Sequence, residues 1–226
     1  MKWLMLILLS VGCVGQGTGQ VAGEIHITAC DQRHPLDSNP YNMNPDFFVG
    51  EPIEDINQNG FPQNRIEIRV QATSANLGGV VTSLDQGAGV DTLFISISDV
   101  YAVAQMVNQP IALNPIDVNY MSPNPPPVRI ALGMLGSCPF SPNNTLYADV
   151  GSTITFTRFG CVTDDPPCML TPDYKVDFGE QIVANFNLIL VDYRAKLFGT
   201  PVMSQGAVSG YFNFELRRGA AGQTFP

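Results

Sequence analysis

The sequence is short of the side chains that carry out most catalytic chemistry. Among its 226 residues there are two histidines, His26 and His34. Two imidazoles leave few ways to assemble a Ser-His-Asp set, and no Gly-x-Ser-x-Gly elbow is present. Basic residues are scarce too: 11 Lys and Arg stand against 20 Asp and Glu, for a formal net charge of −9. Nucleic acid and anionic lipid surfaces are held by clusters of Lys and Arg, so this balance argues against both as partners. No Cys-x2-Cys pair marks a zinc site. No apolar run reaches the roughly 20 residues that span a bilayer. The Gly-rich stretches Gly87-Ala88-Gly89 and Gly219-Ala220-Ala221-Gly222 lack the strand-to-helix setting of a phosphate loop.

What is there begins at the N-terminus. Met1-Lys2-Trp3-Leu4-Met5-Leu6-Ile7-Leu8-Leu9-Ser10-Val11-Gly12-Cys13 runs from one lysine through an apolar stretch to small residues and a cysteine. That order is the charged region, apolar region and small-residue cleavage site of an export signal. With cysteine directly after the small residue it resembles the lipobox of bacterial lipoproteins, with Ser10 where leucine is most common. The resemblance covers thirteen residues. It implies a signal peptide over 1–12 and an acylated Cys13 as the mature N-terminus. Cleavage near Ala22 or Gly23 is the alternative, and it would separate the apolar run from its cut by about ten Gly/Gln-rich residues. The protein is thus expected in a bacterial cell envelope, at the outer membrane or cell surface, held to the membrane by its lipid. Gln16 to Gly23 reads as a flexible tether, so 13–23 is the lipidated N-terminus and tether, and 24–226 a single domain.

Five cysteines are an odd number for an exported chain. Setting Cys13 aside as the lipid carrier leaves Cys30, Cys138, Cys161 and Cys168. Three connectivities exist in principle. Cys161 and Cys168 flank the turn-forming Val162-Thr163-Asp164-Asp165-Pro166-Pro167, so locality pairs them and leaves Cys30 for Cys138. An oxidising compartment favours disulfides over free buried thiols.

Glycine and proline, 21 and 18 residues, fall between short apolar runs, a distribution of turns and strands rather than of disorder. Residues 24–29, 65–70, 91–98, 128–134, 152–158, 181–193 and 207–217 read as strands. Ser98-Asp99 caps a short helix through about Val107, before Pro110. Asp31 to Asn64, with prolines at 35, 40, 45, 52 and 62, reads as a long functional or mobile loop. Over 181–193, Ile182, Ala184, Phe186, Leu188 and Leu190 share one face. Val183, Asn185, Asn187, Ile189 and Val191 share the other, as if half the strand were covered on both sides. The expected fold is therefore all-β: an antiparallel two-sheet β-sandwich with long proline-rich loops and at most one short helix. The long strand ending Val191-Asp192-Tyr193-Arg194, followed by Gly210-Tyr211-Phe212-Asn213-Phe214-Glu215, resembles uncharacterised β-sandwich surface lipoproteins of bacteria. No activity transfers with that resemblance.

The sharpest chemical motif is Asp55-Ile56-Asn57-Gln58-Asn59-Gly60. Oxygen ligands Asp55, Asn57 and Asn59 occupy positions 1, 3 and 5 of a calcium loop, with glycine at the sharp turn. The twelfth position is Ile66, which rules out a full EF-hand. A shorter calcium loop completed by Glu51, Glu54 or Asp85 stands beside the plain reading, a polar turn whose Asx side chains bond their own backbone. Asp31-x-x-His34-x-x-Asp37 offers one imidazole and two carboxylates, yet a proline-containing loop sets no common face for them. The expectation is a lipid-anchored envelope protein with a non-enzymatic binding or structural role, whose partner is an envelope protein or glycan. The alternative is a secreted hydrolase or carbohydrate-binding domain using acidic loop residues between Asp31 and Glu67. Paired carboxylates leave no spacing signature in one sequence, and the only tryptophan, Trp3, leaves with the leader.

Overall fold

The computed structural model describes residues 17–31, 34–56, 62–72, 90–113, 126–138, 144–163, 169–177, 179–193 and 204–216. In chain order these carry β1 (Gly17–Asp31), β2 (His34–Met43), β3 (Phe47–Ile56), β4 (Pro62–Ala72), β5 (Asp91–Ile97) and α1 (Val100–Gln105). There follow β6 (Ile111–Ala112), β7 (Val128–Met134), β8 (Thr145–Ala148), β9 (Thr153–Gly160), β10 (Gln181–Val191) and β11 (Ser204–Glu215).

All eleven strands belong to one sheet with the order β2-β1-β11-β10-β8-β7-β5-β4-β3, with β9 on β10 and β6 on β9. Its two ends, β2 and β3, are consecutive in the chain and separated only by residues 44–46. Four chain steps span at most about 14 Å, so a sheet nine strands across must curl until its ends approach. The curl brings Phe48 of β3 onto Phe214 of β11, with ring centroids 6.0 Å apart. The domain is therefore a half-barrel made of one curled antiparallel sheet, which corrects the expected two-sheet sandwich. The reason is local. Inward-outward alternation is the same for a strand in a sandwich and in a curled sheet, and what separates the two is whether the hydrogen-bond ladder breaks.

Here the ladder is carried through β10. Gln181 to Asn187 pair with β9, while Leu190 and Val191 pair with β8. Ile189 lies at the fork, and the Ser152 side chain serves it. Ile189 N–H donates to Ser152 Oγ at 2.8 Å, and Ser152 Oγ–H donates to the Ile189 carbonyl at 3.1 Å. Asp149 N–H donates to the same carbonyl at 2.8 Å. A side chain thus replaces a missing neighbour strand, as a buried backbone pair requires.

The stretch expected to be a long loop, Asp31 to Asn64, contains β2 and β3. Proline lacks the N–H a central strand must donate, but an edge strand has one free side. Pro35 and Pro40 lie in β2 and Pro52 in β3, the two edges, and Pro62 opens β4. Residues Gly17–Gly23, expected to be tether, are the first half of β1 and pair with β11 from Phe214 to Val208. Close approach explains the glycine opposite them: a Cβ on Gly210 would lie 1.9 Å from the Gln20 carbonyl oxygen.

Phe156, Phe159, Phe212 and Phe214 are fully buried inside the curl, alongside the Ile182, Ala184, Phe186, Leu188 and Leu190 face of β10. The opposite face of β10 is not a second core: Asn185, Asn187 and Ile189 are exposed, and Val183 and Val191 half-buried. Helix α1 packs on β4 and β9 through Val100, Val103 and Ala104. Asp99 caps it, its carboxylate accepting from Ala102 N–H at 2.9 Å.

Candidate functional site

Asp91 is the first residue of β5, where the alternation of the strand points its carboxylate inward, and it is 0 % exposed. Two neighbouring elements supply donors. Gly136 N–H and Ser137 N–H, in the turn after β7, each donate to Oδ1 at 2.9 Å. The Ser137 hydroxyl and the Tyr41 hydroxyl of β2 donate to Oδ2, the latter at 2.9 Å. Beside this cradle Cys30 of β1 and Cys138 form a disulfide with Cα atoms 4.9 Å apart. The Ser137 carbonyl oxygen lies 3.4 Å from Cys30 Sγ. Burial pushes the Asp91 carboxyl up from its ordinary range, against the lowering effect of its hydrogen bonds. Burial, followed by the charge and hydrogen bond of Asp91, pushes the Tyr41 phenol well above its ordinary value.

A nucleophile-activating set places an imidazole between serine and carboxylate, whereas here the Ser137 hydroxyl and the Tyr41 phenol both donate directly to the carboxylate. His26 stands on the exposed side of β1. A carboxylate with no exposed surface and donors from two elements fastens the backbone of three together, its own strand included.

A second cluster surrounds Cys161, which is also disulfide-bonded. Its partner lies outside the described residues. Tyr174 Oη–H donates to the Phe159 carbonyl at 3.3 Å and accepts from Cys161 N–H at 3.3 Å. Gly160, at φ +61°, leaves room for that phenol. Burial, then the charge of Glu180, pushes the Tyr174 phenol up to about 12. The Glu180 carboxyl is raised mainly by burial and accepts from Asp177 N–H at 2.7 Å.

Of the calcium motif, Asp55 lies on β3 opposite Gln63 at the end of the β3–β4 hairpin. Its side chain, and Asn57 and Asn59 entirely, lie outside the described residues. Asp31 pairs with His34 across the β1–β2 hairpin, and Asp37 pairs with His26. Among the described residues no group of three or more His, Cys, Asp or Glu is placed to hold a metal ion, and no helix is long and apolar enough to cross a membrane. Cys13, Cys168 and residues 1–12, the expected signal peptide, lie outside the described residues. No family model matches the chain, and neither a curated protein nor a solved structure matches it.

Sequence reasoning missed the Asp91 cradle. Its one sequence trace is Gly136-Ser137 directly before Cys138, a turn whose N–H groups need an acceptor. The donor Tyr41 is 50 residues from Asp91, a separation that no local pattern encodes.

Proposed function

We propose that the protein is a lipid-anchored component of a bacterial cell envelope with a non-enzymatic binding or structural role. The observation that carries this reading is Cys13. It follows a charged and apolar leader and a small residue, and it is the odd cysteine of five. The Cys30–Cys138 bond and the disulfide state of Cys161 agree with an oxidising compartment. The start of β1 at Gly17 adds a constraint. Only Val14, Gly15 and Gln16 separate it from Cys13, a reach of at most about 14 Å. A lipid on Cys13 holds the Gly17 end of the half-barrel against the headgroups, without a long tether.

The binding half of the proposal draws on the outer face around the β10 fork. Ile189 is 46 % exposed, and Val191 pairs with Tyr147, whose ring meets Tyr193 edge-on at 6.1 Å. Apolar surface of this kind suits a protein partner in the envelope.

The test is mass spectrometry of the mature N-terminus, with membrane fractionation of the full chain and of Cys13→Ser after expression in a bacterial host. An acylated N-terminal Cys13 in the membrane fraction, and release of Cys13→Ser from it, are expected. A mature chain beginning near Ala22, or equal membrane retention of the variant, would sink the proposal.

A further inference from the structure

The Cys30–Cys138 bond lies where two far-apart parts of the curled sheet meet, β1 and the turn that follows β7. Both cysteines are buried, Cys30 at 7 % exposure and Cys138 at 0 %. Reduction of such a bond needs a thiolate to reach one sulfur nearly in line with the other, and the Ser137 carbonyl of the turn already lies 3.4 Å from Cys30 Sγ. That turn is held at three points among the described contacts, one of them the Asn144 Nδ2–H that donates to the Cys138 carbonyl at 3.4 Å. Cys138 N–H donates to the Met134 carbonyl at 2.7 Å, which continues from β7 itself. The remaining hold is Asp91, through the N–H groups of Gly136 and Ser137 and the Ser137 hydroxyl. Tyr41 ties the same carboxylate to edge strand β2.

We propose that residues 135–138 are a strap that the Asp91 carboxylate holds over the Cys30–Cys138 bond, so that thiol access is gated by local release of the strap rather than by unfolding of the domain. The gate sets how the bond meets the dithiol reductants and exchange catalysts of an oxidising compartment. In the exchange, a dithiol's first thiolate attacks one cysteine sulfur, forming a mixed disulfide and expelling the other cysteine as a thiolate that takes a proton from water. The dithiol's second thiolate then closes on the first, releasing the second cysteine. The protein gains two electrons and two protons, and the dithiol becomes a disulfide. This assignment does not depend on lipidation of Cys13.

The experiment follows reduction of the folded full chain by dithiothreitol, trapping thiols with iodoacetamide and quantifying the Cys30 and Cys138 peptides separately from the Cys161 peptide. Rates are taken across low, non-denaturing urea. Removing the charged acceptor loosens two backbone donors and two hydroxyls, so Asp91→Asn is expected to raise the rate by about tenfold or more. That rate should stay nearly independent of urea, the mark of a local opening. Tyr41→Phe, which deletes a single bond and keeps the ring in the core, is expected to raise it about threefold. It carries the test if Asp91→Asn does not fold. Tyr174→Phe, in the other cystine cluster, should leave it unchanged. A wild-type rate in both Asp91→Asn and Tyr41→Phe, or rates that climb with urea as steeply as global unfolding, would overturn the proposal.

Discussion

Two places in this half-barrel combine a tyrosine, an acid and a disulfide cysteine, and they are built for different jobs. At the first, Tyr41, Asp91 and Cys30–Cys138 come from β2, β5, β1 and the turn after β7, with sequence separations of 50 between Tyr41 and Asp91 and 108 across the disulfide. At the second, Tyr174 reaches only 13 and 15 residues, to Cys161 and Phe159. The phenols both donate, but to different acceptors. Tyr41 donates to a buried carboxylate, whereas Tyr174 donates to a backbone carbonyl. The first cluster closes the curl of the whole sheet, and the second trims the connection between β9 and β10. An interaction that joins distant segments removes more freedom from the unfolded chain than one that joins near neighbours, so the two should differ in what their loss costs.

Breaking the disulfides gives the largest contrast. Removing Cys30–Cys138 as the double serine variant is expected to cost about 4.7 kcal/mol on the chain-entropy model for a loop near 100 residues, read as a lower urea midpoint. Cys161→Ser should cost less, because Cys168, the expected partner, would close a short loop. A loss as large as the first would mean that Cys161 reaches a distant cysteine instead. Next comes the acid. Asp91→Ala strands two N–H groups and two hydroxyls in a dry site, and a cost of about 3 kcal/mol follows at roughly 1 to 3 kcal/mol per unmet group with partial relaxation. Glu180→Ala, at a partly solvated position, is expected to cost about 1 kcal/mol or less. Equal urea midpoints for the two alanine variants would erase the distinction between the clusters.

The same contrast explains what the sequence could disclose. Strand β7 was legible to its ends, and β4, β5, β10, β11 and the Asp99-capped helix were legible as elements, because their alternation or capping is written within a dozen residues. Strands β2 and β3 were not, since their prolines argue for a loop unless the strands are known to be edges. That status depends on the order of the whole sheet. Gly17–Gly23 looked like a linker by composition, yet the close β1–β11 approach at Gly210 puts glycine to use in pairing. The sandwich expectation failed for a related reason: alternation reports which face of a strand is inward but not whether β10 hands its ladder from β9 to β8. Asp91 was visible as a strand residue and invisible as a site, because Tyr41 and Ser137 reach it only through the curl.

A smaller effect sharpens the local cluster. A Cβ on Gly160 would fall 2.0 Å from Tyr174 Oη and 2.8 Å from Glu180 Oε2, at a φ of +61°. Gly160→Ala is therefore expected to cost about 1 to 3 kcal/mol, from backbone strain and displacement of the phenol. Adding Tyr174→Phe removes the hydroxyl in the way, so the double variant should be more stable than the sum of the two single changes implies. Strict additivity in urea denaturation would show that Tyr174 does not set the glycine requirement.

The smallest effect is in pH and belongs to the first cluster. The carboxyl of Asp91 titrates higher in the folded protein than its ordinary value of 3.8, chiefly because it is buried. A folded state that prefers the neutral acid is favoured most when the carboxyl is protonated in both states. That contribution is present below the unfolded value and is lost as pH rises through the raised folded value. Asp91 should therefore make the protein less stable at pH 7 than at a pH near its ordinary value of 3.8, opposite in sign to a salt-bridged carboxylate. Glu180 is raised too, so the wild-type slope alone does not separate the two acids. The decisive quantity is the difference between Asp91→Asn and wild type in urea midpoint at each pH. The variant loses the hydrogen bonds that need a second acceptor oxygen, but it also loses the titration. Its deficit relative to wild type should accordingly be larger near pH 3.8 than at pH 7. A deficit that grows toward pH 7 would mean that the four donors outweigh burial and hold Asp91 as a stabilised carboxylate.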